Sequence, residues 1–405
     1  MARILLVFER FADGSDTERP LTMRHENSVL HALLQNVPWR TFDRLVEEHG
    51  SDRSVRRLTT RSQFVALLSG QLSGGDSLRA IETLQANFSP RLYHLGARPA
   101  RRSTLADANA RRSCEVFVGL FSAILAQMQA GVRRKVREAV RLIDATCLPL
   151  SPLFGDVKAL SASVAGTKLH VIYDPNAQTP VYFDISPGNV NDITMAHAMP
   201  VEPGATYVFD RGYYHFGWWA ALDQASCRFV TRLKKNTPTT RLAERRVAAG
   251  GNVRKDMRVR LPERLSTTRL NPLNRDMREV HVATEGGKTL RLITNDLDAP
   301  AEDIAALYKQ RWQIELFFRW IKQNLKIRKF LGTSPNAVRT QIAIALIAFM
   351  LVRLAFNAQK AVADLLTFTR LVRLNLHDRR NLHDLKPPKP PKPSLGSNQL
   401  MLGLQ

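Results

Sequence analysis

Cysteine is nearly absent. Cys114, Cys147 and Cys227 stand far apart with no C-x-x-C pair, which argues against a disulfide framework or a zinc site and suits a reducing cytoplasm. Acidic residues are short as well: 36 Asp and Glu face 59 Lys and Arg. The resulting formal charge of +23 favours a polyanionic partner through long-range attraction and counterion release. Charge alone leaves nucleic acid, a ribosome surface and a membrane surface open, with nucleic acid leading. No apolar run reaches the roughly 20 residues a bilayer demands; the longest, Ile342 to Val352, reads as part of a soluble segment. No small-residue cleavage pattern follows MARILLVFERFADG, so no signal peptide is read there. Aromatics make up only 7% of the chain, but 44% hydrophobic residues over 405 positions are enough for several globular domains.

What is present falls into two textures. Residues 23–130 carry helical periodicity throughout, in ENSVLHALLQNVPWRTFDRLVEEHG, SQFVALLSGQL, SLRAIETLQANF and STLADANARRSCEVFVGLFSAILAQM, the last predicted as one helix. From residue 136 short β-type runs take over (AVRLID, TKLHVIYD, PVYFDIS, TYVFD, CRFVTRL), alternating with helical pieces near Asp192 and from Tyr214 to Ala225. Residues 234–299 read as a β-rich insertion. A long amphipathic helix then starts at Pro300 and runs through QRWQIELFFRWIKQNL, and a second apolar helix covers Asn336 to Leu366. The stretch 1–22 reads as a leader outside the native start, and 385–405, with LKPPKPPKP, as a flexible polyproline-like tail.

Three carboxylates stand out. Asp144 closes the apolar run VRLI and Asp210 closes YVF, so each sits where a buried strand emerges at its carboxyl end, the place where open α/β sheets hold ligands. Taken singly, either is equally well a cap or turn residue. The tetrapeptide DRGY adds a tight turn and a cation, Arg211, beside Asp210. Glu315 belongs to a stripe with Tyr308, Arg311 and Lys322, which at about 100° per residue fall within roughly a 60° sector of one helix. A solvated face of i,i+4 ion pairs explains most such stripes. Phosphodiester chemistry needs the same residue types: hard oxygens for two Mg²⁺ ions, with Mn²⁺ able to substitute, and Arg and Lys to clamp phosphate.

These residues resemble the DDE transposases of bacterial insertion sequences, in particular the insertion-sequence-four group with its Tyr, Arg, Glu, Lys signature. The resemblance rests on IDATCLPL around Asp144, GTKLH at Gly166 to His170, VFDRGYY around Asp210 and the Tyr308, Arg311, Glu315, Lys322 set, and extends over about residues 23–395. It implies an α/β fold with a ribonuclease-H-like, retroviral-integrase-like catalytic core (136–233 and 300–366), preceded by an all-helical DNA-binding domain (23–130) and interrupted by the β-rich insertion. It further implies Asp144, Asp210 and Glu315 as catalytic metal ligands, with cleavage at insertion-sequence ends and strand transfer into target DNA. Tyr308, Arg311 and Lys322 would hold terminal phosphates, and a homodimer would pair the two ends on nucleoid DNA, with no membrane involved. Some relatives stabilise a flipped base with a tryptophan on the insertion; this chain has none between Trp219 and Trp312.

Other residues were weighed on their own chemistry. Arg211, Arg111 and Arg112 are expected on DNA, the last two on a helix that Ser103 or Thr104 would cap, with packing on the catalytic core as the equal alternative. Asp192 reads as a helix N-cap, His170 as a structural strand histidine, and Trp312 and Trp320 as packing residues. Two other classes compete with a transposase: a sequence-specific DNA-binding protein without catalysis, against which the Tyr308 to Lys322 stripe argues, and a nuclease that cleaves without strand transfer.

Overall fold

The computed structural model describes residues 28–129, 139–149, 166–264, 270–324 and 330–386. The expected leader, and all but Leu385 and Lys386 of the expected tail, lie outside these residues.

Seven helices come first: α1 (Val29–Leu34), α2 (Trp39–Glu48), α3 (Thr60–Ser73), α4 (Leu78–Asn87), α5 (Ser89–Leu92), α6 (Arg102–Arg111) and α7 (Glu115–Gln129). Ser28, Thr59 and Ser77 start α1, α3 and α4 by accepting from otherwise orphaned backbone amides. The helix expected over STLADANARRSCEVFVGLFSAILAQM is two helices. Asn336 explains the break: its amide donates to the carbonyls of Asn109 (2.8 Å) and Arg112 (2.6 Å) and accepts from the Cys114 amide (3.2 Å). Neither Ser103 nor Thr104 caps α6, which begins at Arg102 without a side-chain cap.

The second half builds one nine-stranded sheet in the order β3-β2-β1-β4-β5-β9-β8-β7-β6. Its strands are β1 (Val140–Pro149), β2 (Gly166–Asp174), β3 (Thr179–Pro187), β4 (Thr206–Phe209), β5 (Arg228–Arg232), β6 (Thr240–Arg245), β7 (Val253–Arg260), β8 (Asp276–Ala283) and β9 (Thr289–Thr294). β1, β4 and β5 are parallel, and every other pairing is antiparallel. The β-rich stretch expected at 234–299 supplies β6 to β9 and continues the same sheet: β9 pairs with β5, and β8, β7 and β6 extend it outward. Between β7 and β8, Arg278 and Asp256 form a two-pronged ion pair (both contacts 2.8 Å) buried to 2% and 3% exposure, and Arg278 also donates to the Ala299 carbonyl.

Helices α8 (Asp192–Ala196) and α9 (Phe216–Gln224) fall where β-type runs alternate with helical ones. The long helix expected from Pro300 is two, α10 (Ala301–Gln310) and α11 (Trp312–Asn324), parted at Arg311, whose amide bonds back only three residues to the Tyr308 carbonyl (3.2 Å). The apolar helix expected to Leu366 ends earlier, as α12 (Pro335–Ala358), followed by α13 (Leu365–Asn375). By length and apolarity α12 qualifies as a membrane span, yet 72% of its most apolar window lies inside the protein, which identifies it as a core helix.

Alternation along the strands separates two cores. Leu142, Leu169, Val171, Val208 and Val230 face a large core shared with α1 to α7, α11, α12 and α13. Ile143, Ile172, Tyr207, Phe209 and Phe229 face a second one with Trp218 and Trp219 of α9. The helical half and the sheet therefore share buried surface through α12, on which α3, α6 and α7 pack. Each large aliphatic side chain buried there contributes about 1.5–3 kcal/mol.

Candidate active site

The parallel register pairs Ile143 of β1 with Phe209 of β4, so Asp144 and Asp210 are the next residues along two neighbouring strands. That is where the parallel ladder ends. Asp144 differs from expectation in one respect: β1 does not end there but runs on to Pro149, paired with β2 alone. Asp144 Oδ1 accepts from the Ala145 amide at 2.8 Å, and Asp210 Oδ1 accepts from the Gly212 amide at 2.7 Å, which closes the short helical turn Arg211–Tyr213. Burial pushes the Asp144 carboxyl up to about 7, against the pull of the Ala145 amide; the charges of Asp210 and Glu315 add to the rise and Arg311 offsets it.

Glu315 enters from α11, which packs on β1. Its Oε1 lies 2.6 Å from Arg311 Nη1, the i,i+4 ion pair that a simple helix face would also make. Burial works against the Arg311 charge, but Tyr308, Glu315 and Asp144 hold its guanidinium above the ordinary range. Tyr308, from the end of α10, is 8% exposed, with the Arg311 guanidinium centred 5.8 Å from its ring. The four residues of the stripe thus straddle a helix break instead of sharing one helix. Lys322 lies two turns beyond Glu315, about 10 Å along α11 at 1.5 Å per residue, and is half-buried.

The remaining expected DNA contacts divide. Arg211 is exposed in the turn after Asp210, and Arg111 is exposed at the end of α6. Arg112 points inward: its guanidinium donates to Gln63 Oε1 (3.1 Å) and to the Leu58 carbonyl, with its side chain 11% exposed. With Asp52 4.0 Å away as a third partner, the Arg112 guanidinium is taken up within the helical layer. Trp312 departs from its packing role and is 50% exposed, whereas Trp320 packs on Phe349 at 4.9 Å between ring centroids. His170 is structural, buried with Nε2 2.8 Å from Ser186 Oγ.

Asp192 is a correction. Asn191 holds the cap position of α8 without a side-chain bond, and Asp192, the first helical residue, places Oδ1 3.0 Å from Lys168 Nζ. Its Oδ2 faces the Asp210 turn: a Cβ on Gly212 would meet Asp210 Oδ1 at 3.0 Å and Asp192 Oδ2 at 3.3 Å. Tyr213, in the same turn, is fully buried, and its hydroxyl has no hydrogen-bond partner among the described residues. An unpaired buried hydroxyl costs about 1–3 kcal/mol. The DRGY tetrapeptide displays Tyr213 in the sequence, but nothing local assigns it a task.

Hard oxygen donors at Asp144 and Asp210 fit a divalent cation, which needs only one or two carboxylates when phosphate oxygens and water complete its shell. Among the described residues no three acidic, His or Cys side chains form a preassembled cage. Glu315 is instead held by Arg311.

The comparisons with known proteins agree with this chemistry. The transposase DDE domain family matches residues 136–351, and a domain of unknown function (DUF4372) matches residues 25–98. The protein y4zB of Sinorhizobium fredii, named as a transposase, is 44% identical over 72% of this chain and 81% of its own length. A Geobacillus stearothermophilus protein named as a transposase for insertion sequence element IS5377 is 29% identical over 64% of this chain and 68% of its own. A solved piggyBac transposase synaptic complex with hairpin DNA superposes with a TM-score of 0.43 at 12% identity, covering 92% of this chain and 88% of that one, too loose a likeness to carry weight. With its DDE domain spanning the sheet, the two adjacent aspartates and α11, this chain belongs to the DDE transposases.

Proposed function

We propose that Asp144, Asp210 and Glu315 are the carboxylate triad with which this transposase cleaves the ends of an insertion-sequence element and joins them to target DNA. The observation that carries the assignment is the register: Asp144 and Asp210 follow a paired Ile143 and Phe209 at the end of the parallel ladder, and the charge of Glu315 reaches Asp144 from α11. The strand order β3-β2-β1-β4-β5, with β2 antiparallel to a parallel β1, β4 and β5, supports a ribonuclease-H-like core, and the Tyr308, Arg311, Glu315, Lys322 set supports membership of the insertion-sequence-four group.

Asp144, Asp210 and Glu315 would hold two Mg²⁺ ions, or Mn²⁺ in their place. Such a pair activates the attacking water or 3′-hydroxyl and neutralises charge at the leaving oxygen. The chain's own groups do the rest. The Ala145 and Gly212 amides fix one oxygen each of Asp144 and Asp210, and the other oxygen of each would be left to hold a cation. Arg311 pairs with Glu315 and is itself placed to share its fork with a phosphate, and exposed Arg211 extends the cationic surface. Lys322 adds a point charge farther along α11. Double-stranded DNA, as terminal repeats and target, is the partner, a homodimer would bring two ends together, and the site of action is nucleoid DNA in the cytoplasm.

The test is cleavage and joining of a labelled duplex from the flank of the gene, in Mg²⁺ or EDTA. Wild type should nick and join only with Mg²⁺, while Asp144→Ala, Asp210→Ala and Glu315→Ala should each bind ends and lose at least about 10³-fold in rate, as expected for removal of a main charge stabiliser. Cleavage surviving in any one of them removes that residue from the triad. Cleavage without joining would instead mark a nuclease.

A further inference from the structure

The turn that follows Asp210 holds more than the triad uses. Tyr213 is 0% exposed, its ring is wedged between Phe209 (6.0 Å) and Trp218 (5.9 Å), and its hydroxyl has no hydrogen-bond partner among the described residues. The charges that act on that hydroxyl are those of Asp144, Asp192 and Asp210. Toward an ionised carboxylate a phenol can only donate. All three acids are already gripped from elsewhere: Asp144 by the Ala145 amide, Asp210 by the Gly212 amide, and Asp192 by Lys168, whose ammonium also donates to the Val190 carbonyl at 2.8 Å. Gly212 keeps the space between Asp192 Oδ2 and Asp210 Oδ1 open, since a Cβ there would press on both.

We infer that Tyr213 is a positioning residue of the cleavage site, whose hydroxyl donates to the carboxylate cluster of Asp144, Asp192 and Asp210 and sets its oxygens for a divalent cation. The inference rests on the proposed triad. It adds Asp192, anchored by Lys168 and facing the Asp210 turn, as a further acid beside the triad. An orphaned buried hydroxyl weakens the metal-free fold, and the site retains it because the donor finds its acceptor only when a cation redistributes the carboxylate oxygens.

The experiment uses the full chain and Mn²⁺ alone as the probe, comparing wild type, Tyr213→Phe, Asp192→Asn and Asp144→Ala by calorimetric Mn²⁺ titration, metal-free thermal unfolding, and cleavage across a Mn²⁺ series. Tyr213→Phe keeps the ring and its packing, so its melting temperature should equal or exceed that of wild type. Its Mn²⁺ affinity should fall by roughly 10-fold or more, the usual cost of losing an outer hydrogen-bond partner of a metal ligand. The Mn²⁺ needed for half-maximal cleavage should rise in step, and Asp192→Asn should shift both readouts the same way. Wild-type Mn²⁺ affinity in Tyr213→Phe, with or without a lowered melting temperature, overturns the inference while Asp144→Ala still loses metal binding. Retained Mn²⁺ affinity in Asp144→Ala instead overturns the triad on which it rests.

Discussion

Two adjacent arginines show how a single position decides between binding and stability. Arg111 is exposed and Arg112 is sunk among Gln63, Leu58 and Asp52. Arg112→Ala should cost about 1–3 kcal/mol, because the Leu58 carbonyl and Gln63 lose a buried donor. The salt dependence of DNA binding should not change with it. Arg111→Ala should leave the melting temperature unchanged and, if that helix end touches phosphate, reduce the salt slope by about one. Chemical denaturation and a salt titration of each variant separate the two; a stability loss at Arg111 or a slope change at Arg112 would reverse the assignment. Residue-level chemistry was legible where it was local. Asp210 ends an apolar run and follows the last residue of β4; Asp144 ends another, but β1 continues past it to Pro149, so there the run marks the end of the parallel ladder and not of the strand. Asp192 was misread because a capping rule sees only neighbours, and its partner Lys168 lies 24 positions away on β2. Tyr213 was in plain view, but its missing partner is a property of three dimensions.

Among the elements, the β-rich stretch after β5 is the main surprise. Composition predicts strands there, but composition carries no register, so it does not reveal that β9 returns to β5 and makes this stretch an extension of one sheet. The buried pair Asp256 and Arg278 pins that extension, and through the Ala299 carbonyl it also pins the entrance to α10. Asp256→Ala would strand a buried guanidinium and should destabilise the protein by about 3–5 kcal/mol. Urea unfolding of the variant measures it; a loss below 1 kcal/mol would mean that Arg278 finds water instead. The break at Arg311 likewise escaped the helical pattern, whose periodicity continues across it, although a single residue bonded three back is enough to part α10 from α11.

At the scale of the whole molecule the two ends of the described chain are sewn together. The amides of Val29 and Leu30 donate to the carbonyls of Asp378 and Leu376, and His377 stacks on Phe88 at 4.2 Å with Nε2 3.2 Å from Ser69 Oγ. Burial lowers the His377 pKa to about 4, with Arg91 acting in the same direction and Asp378 against it. The fold therefore resists protonating a ring that the unfolded chain protonates freely below its ordinary 6.5. The stability contributed by the neutral ring is complete above that value and is lost as pH falls from 6.5 toward 4. The melting temperature should decline across this window, and more shallowly in His377→Phe, which keeps the stack but cannot titrate; equal slopes would exclude this site as the cause.

The helix α12 at the centre gives the order of synthesis a meaning. Its residues, 335–358, leave the ribosome long after those of α3, α6 and α7, whose apolar faces it covers. Until it emerges, those helices have an incomplete core and expose greasy surface, so a chain cut short before Pro335 is material for chaperones and proteases and not a free-standing DNA-binding fragment.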